Sequence, residues 1–115
     1  MLMPFSQTKI ANIRSEFLNS TDSPIDPVYA EIFSQRQREC IYCSAQGLSS
    51  QETGYILNIS KRTVESILNN CMLKLGCRNR YELIYLSTKY GFIRDETISP
   101  TIKNLIEKER LRHLL

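Results

Sequence analysis

The chain has 115 residues, 42% of them hydrophobic and 23% charged, which suits one small domain with a modest core. No run approaches the about 18 apolar residues of a membrane-spanning helix. The first residues lack the charged start and apolar core of a secretory signal, so the expected compartment is the cytoplasm.

The net charge of +3 is unevenly placed. Residues 34–90 carry 8 basic and 4 acidic groups, residues 1–33 carry 2 and 4, and residues 91–115 carry 5 and 4. Positive charge gathers in the middle of the chain, as a surface for a polyanion requires.

Residues 1–30 say least. Ser6 can cap a helix to about Leu18, with Ile10, Ile13 and Phe17 on one stripe. Asn19 to Pro27 reads as a loop, because two prolines and short polar side chains block regular structure. Val28, Tyr29, Ile32 and Phe33 then lead into the next segment. The first helix either covers an edge of the domain or meets a partner.

Ser34 opens a helix, with Gln37 at capping-box spacing. Cys40, Ile41, Ser44 and Ala45 face inward or border the core. Gly47 ends the helix as a left-handed residue. For Arg38 beside Glu39, a salt bridge that ties helices together and a phosphate contact both remain open.

Ser49 and Glu52 repeat the capping-box spacing ahead of a helix from about Ser50 to Leu57. Asn58-Ile59-Ser60 interrupts it. Ser60 then caps a longer helix that starts with Lys61 and Arg62 and runs to Leu75. At about 100° per residue, Val64, Ile67, Leu68, Cys71 and Leu75 form one stripe. Arg62, Ser66 and Asn69 fall opposite, with Glu65 and Asn70 beside them. Arg, Asn and Ser can bond base edges or phosphates, whereas a merely solvated face more often carries Glu/Lys pairs at four-residue spacing. Two helices joined by a short turn, the second with such a face, describe a helix-turn-helix DNA reader. Leu73 lies on the otherwise polar stripe, and either another segment covers it or a partner meets it.

Gly76 ends that helix. Asn79 opens a fourth, with Glu82 at capping-box spacing, and carries Leu83, Ile84, Leu86 and Tyr90 past about Lys89 to Gly91. Asp95 to Pro100 is a connector. Ser99 as cap and Pro100 at the first helical position start a last helix. Ile102, Leu105 and Ile106 share one face, and Leu111, Leu114 and Leu115 lengthen it. Its basic end suits the negative end of the helix dipole. This helix packs on its own domain or pairs with a second subunit.

Ser34 to Leu83 reads SQRQRECIYCSAQGLSSQETGYILNISKRTVESILNNCMLKLGCRNRYEL. It resembles the LuxR/GerE-type helix-turn-helix domain of bacterial transcription regulators. The matches to that family's pattern are Arg36, Arg38, Glu39, Ala45, Gly47, Ser49, Glu52, Leu57, Ile59, Ser60, Thr63, Val64, Lys74, Leu75, Gly76, Arg80 and Glu82, in one ungapped register. Gly54 stands where the pattern has Ala, which permits close helix approach at about 1 kcal/mol of helix propensity. Ile67 replaces His and Cys71 replaces Ile.

The resemblance implies an all-α fold: a four-helix domain over residues 31–93, with an extra N-terminal helix and linker in 1–30 and an extra C-terminal helix in 94–115. It implies that Glu65, Ser66, Asn69 and Arg62 read bases, and that Ser49, Ser50, Gln51, Lys61, Thr63 and Lys74 contact phosphates. It places a dimer contact on the fourth helix, with Tyr81, Tyr85 and Ser87 or Thr88 as candidates. The implied partners are double-stranded DNA, a second copy of the chain and RNA polymerase, without a membrane.

Cys40-x-x-Cys43 and Cys71-x5-Cys77 raise the question of zinc. All four occupy positions that the family fills with Val, Ile or Leu, so they are read as core thiols and no metal is expected. The chain has no GxGxxG, P-loop, GxSxG or HExxH. His113, the single histidine, has no second ligand or nucleophile placed to join it. Neither an enzyme nor a cofactor is expected. A competing reading makes the chain an interaction module or antagonist that pairs with another regulator of this family through its terminal helices. Leu73 and the apolar last helix motivate that reading.

Overall fold

The computed structural model describes residues 32–114. The expectations for residues 1–30 and for the His113 side chain lie outside these. Five α-helices and one short 3-10 turn make up the described chain, with no strand among the described residues. They are α1 (Gln35–Ala45), α2 (Ser50–Leu57), α3 (Lys61–Leu75), α4 (Arg80–Lys89) and α5 (Pro100–Leu114), with the 3-10 turn at Asp95–Thr97 between α4 and α5.

Local chemistry sets the helix starts. The Ser34 and Ser49 hydroxyls accept from the amides of Gln37 and Glu52, whose side chains accept in return from the backbone of Ser34 and Ser49. Ser60 caps α3 through the Thr63 amide, and Ser99 accepts from the Ile102 amide at 3.3 Å. At α4 only half of the expected box forms. Asn79 caps the Glu82 amide, but the Glu82 carboxylate accepts from the Arg78 amide at 2.8 Å, one residue upstream.

The turn between α2 and α3 is tight. Asn58 takes a left-handed conformation, which its short polar side chain tolerates. Gly54 lies under the turn, and a Cβ there would stand 2.5 Å from the Ile59 carbonyl oxygen. The position is therefore closer than the Ala of the family pattern fits, so glycine is a packing requirement here.

α3 is the central element, in contact with α1, α2 and α4. Val64, Leu68, Cys71 and Leu75 are fully buried, and Ile67 is half-buried. They meet Cys40, Ile41 and Cys43 of α1 and Leu83 and Leu86 of α4 in one cluster. Ala45, expected at the core border, is exposed. Phe33 and Phe92 close the cluster edge to face, with centroids 5.8 Å apart.

α5 packs on its own chain, against α2, and Ile106 joins the same core with Ile102 and Leu105 at its margin. Polar ties hold it there. Asp95 accepts from the Tyr42 hydroxyl at 2.6 Å and pairs with Lys103 at 2.7 Å. Arg110 donates to the backbone and side-chain oxygens of Gln46, at the end of α1.

Candidate nucleic-acid interface

α3 is fixed from behind by its buried stripe, and its other side is open. Arg62, Glu65, Ser66 and Asn69 are all exposed, as the periodicity predicts. None of the four makes a side-chain hydrogen bond or ion pair with a described residue. The surface is thus a row of donors and acceptors with unmet bonding capacity on a rigid helix. Such a row can bind the edges of bases, because a major groove admits an α-helix and offers matching groups. Leu73 continues the row and is 67% exposed among the described residues.

The residues expected at phosphates divide into two groups. Ser49, Gln51, Lys61 and Thr63 lie at the surface, at the starts of α2 and α3. The Thr63 hydroxyl is 2.9 Å from that of Ser60, so part of its capacity serves the cap. Ser50 is buried, and its hydroxyl accepts from Arg80 Nη2 at 2.7 Å. Lys74 is half-buried, donates to the Ile32 carbonyl at 2.8 Å and lies over the Phe33 ring. In this geometry both side chains bond inside the protein. Sequence spacing does not reveal these partners, which come from segments 30 and 42 residues away.

Arg80 is the residue that the sequence pattern contains without a role. It shares a cleft of about 320 Å3 with Glu65, Leu68, Asn69 and Met72. Glu39, read from sequence beside Arg38, pairs with Arg36 at 3.3 Å, and Arg36 also donates to the Leu57 carbonyl. On α4, Tyr81, Tyr85 and Thr88 line up on an exposed face at spacings of four and three residues. Tyr85 accepts from Lys89 at 3.0 Å.

The thiols behave as hydrophobes. Burial pushes Cys40 up to about 11, and Cys43 and Cys71 up to about 12, so all three stay protonated at neutral pH. A protonated buried thiol is a poor nucleophile and a poor metal ligand. Among the described residues no three His, Cys, Asp or Glu side chains are grouped to hold a metal ion, and no helix is long and apolar enough to cross a membrane.

Comparison with known proteins converges on this region. Residues 31–87 match the family described as bacterial regulatory proteins, luxR family. The chain is 36% identical over 62 residues to the transcriptional activator protein VanR of Vibrio anguillarum, covering 54% of this chain and 26% of that protein. It is 38% identical over 64 residues to the transcriptional activator protein ExpR of Pectobacterium parmentieri, covering 56% and 26%. It is 34% identical over 68 residues to the transcriptional regulatory protein FixJ of Azorhizobium caulinodans, covering 59% and 32%. The chain thus matches about a quarter to a third of the length of these relatives. No solved structure matches.

Proposed function

Residues 31–87 are a helix-turn-helix domain of the bacterial luxR family, and from that premise we propose that this chain is a sequence-specific regulator of transcription that binds double-stranded DNA. The observation that carries the reading is the open row on α3. A helix anchored by four fully buried side chains presents Arg62, Glu65, Ser66 and Asn69 with no partner among the described residues.

In the proposed complex α3 enters the major groove. Asn69 pairs with an adenine, Glu65 accepts from a cytosine amino group, and Arg62 bonds a guanine or the adjoining phosphate. Ser66 is short enough to bond either kind of base edge. Ser49, Gln51, Lys61 and Thr63 hold the backbone and so set the register without reading sequence.

A single small reader buries too little surface for tight specific binding, so the complex is a two-fold dimer on inverted half-sites about one helical turn apart. The exposed row Tyr81, Tyr85 and Thr88 on α4 is the proposed contact between copies. A protein acting on bacterial DNA in this way works in the cytoplasm.

The test is selection of bound duplexes from a random pool with the full chain. Enrichment of an inverted repeat supports the reading, including the dimer. Enrichment of a single asymmetric site removes the dimer. No retention of any duplex at low salt overturns the DNA reading and favours the antagonist, which would bind another regulator instead.

A further inference from the structure

Arg80 is the charged group that the proposed interface has not yet used. A guanidinium is always protonated and carries five donors. Here one of them donates to Ser50 Oγ, at 2.7 Å. No carboxylate among the described residues lies within ion-pair distance of it. Glu82 of the same helix turn pairs with Arg78 at 3.8 Å, and Glu65 shares the cleft without forming a bridge to Arg80. The side chain is also half-buried. Holding a positive charge partly out of water without an anion costs free energy, and an anionic ligand removes that cost.

The cleft shows which anion. Arg80 of α4 lines it together with Glu65 and Asn69 of α3, and these last two are the proposed base readers. A ligand that brings bases to α3 therefore brings its backbone to Arg80. The planar fork of arginine suits a phosphate, which it can bond through two nitrogens at once.

We infer that Arg80 is a phosphate-contact residue of the DNA interface and that Ser50 is its positioning partner. The inference rests on the DNA reading above. The Ser50 hydroxyl holds one nitrogen of the guanidinium, and this serine is buried although its neighbours Ser49 and Gln51 are exposed. The phosphate binds on the guanidinium side of the cleft, away from the Glu65 carboxylate.

The test compares the full chain with Arg80→Gln and Arg80→Lys, on a labelled duplex of random sequence, across a salt series. A lost phosphate contact makes binding about tenfold weaker and makes the log–log salt slope shallower by about 0.9. Arg80→Lys keeps the parent slope, because the charge remains. A merely structural arginine would change melting but leave the slope of the folded protein untouched. If the parent binds and Arg80→Gln binds on the same slope, the inference is wrong. Should Arg80→Gln fail to fold, modification of the parent by phenylglyoxal decides. Protection of Arg80 by the duplex supports the contact, and modification at the unbound rate refutes it. A parent that binds no duplex at any salt fails earlier, at the DNA reading itself, so the two failures are separable.

Discussion

α3 and α5 are both 15 residues long, and they use their polar residues in opposite ways. On α5 and its approach, Asp95, Lys103, Glu107, Arg110 and Arg112 are spent on internal bonds; Arg112, for instance, pairs with buried Glu109 at 2.6 Å. On α3 the polar row is left without partners while the opposite face packs into the core. Anchoring and display are thus divided between the two faces of α3. Charge alone would not distinguish these helices, since both carry several cations. What distinguishes them is whether the folded chain already supplies the counter-groups.

The largest expected effect is on anchoring. Leu68 is 1% exposed in the middle of α3, so Leu68→Ala should lower unfolding free energy by about 2–5 kcal/mol. Leu105 of α5 is half-buried, and Leu105→Ala should cost about 1 kcal/mol. Urea unfolding of both variants measures this. Equal losses would mean that α5 is as much a part of the core as α3, and the contrast would collapse.

The next effect is on display. Asn69→Ala should leave stability within about 0.5 kcal/mol of the parent and lower affinity for the selected duplex by about 1–3 kcal/mol. Arg110→Ala should do the reverse, loosening α5 with little effect on binding. A stability loss in Asn69→Ala, or a binding loss in Arg110→Ala, would show that the two helices are not divided in this way.

Much of this contrast is legible from sequence because caps and periodicity are local. Ser34, Ser49, Ser60 and Asn79 each meet an amide three residues away, and the α3 stripe needs no more than its own helix. What spacing misses is tertiary pairing. The sequence allowed α5 to pack on its own domain or on a second subunit, and the Tyr42–Asp95 and Arg110–Gln46 bonds that hold it in place span 53 and 64 residues. In the same way the spacing that placed Ser50 and Lys74 among the phosphate contacts gave no sign of the bonds they make inside the protein, to Arg80 and Ile32. Arg80 was visible as a pattern match, but its cleft is built between α3 and α4 and has no signature in either helix alone.

A smaller effect is expected at the turn that aims α3. Gly54→Ala gains about 1 kcal/mol of helix propensity. It also sets a Cβ against the Ile59 carbonyl, where backbone must move, at about 1–3 kcal/mol. The net result should be a loss of about 1 kcal/mol, read as a lower melting temperature. A rise in melting temperature would show that the turn gives way freely and that α3 is less rigidly aimed than its burial indicates.

The smallest effect concerns the tie that holds α5, and here the sign follows from protonation. Hydrogen bonds from Lys103 and then Tyr42 hold the Asp95 carboxyl below its usual range. Burial and the Asp95 bond push the Tyr42 hydroxyl up to about 12, so it remains a donor throughout. Folding therefore favours the Asp95 carboxylate. Its contribution is complete above the ordinary carboxylate pKa of about 4 and is lost as pH falls through the lowered value. Other carboxylates titrate in the same window, so the informative quantity is the difference between the parent and Asp95→Asn. That difference should shrink on acidification, because the parent then loses what the variant already lacks. Limited proteolysis at the basic residues of α5 reads it directly: at neutral pH the variant should be cut faster than the parent, and at acid pH the two should converge. A rate difference that persists unchanged into acid would mean that charge on Asp95 does not hold α5 in place.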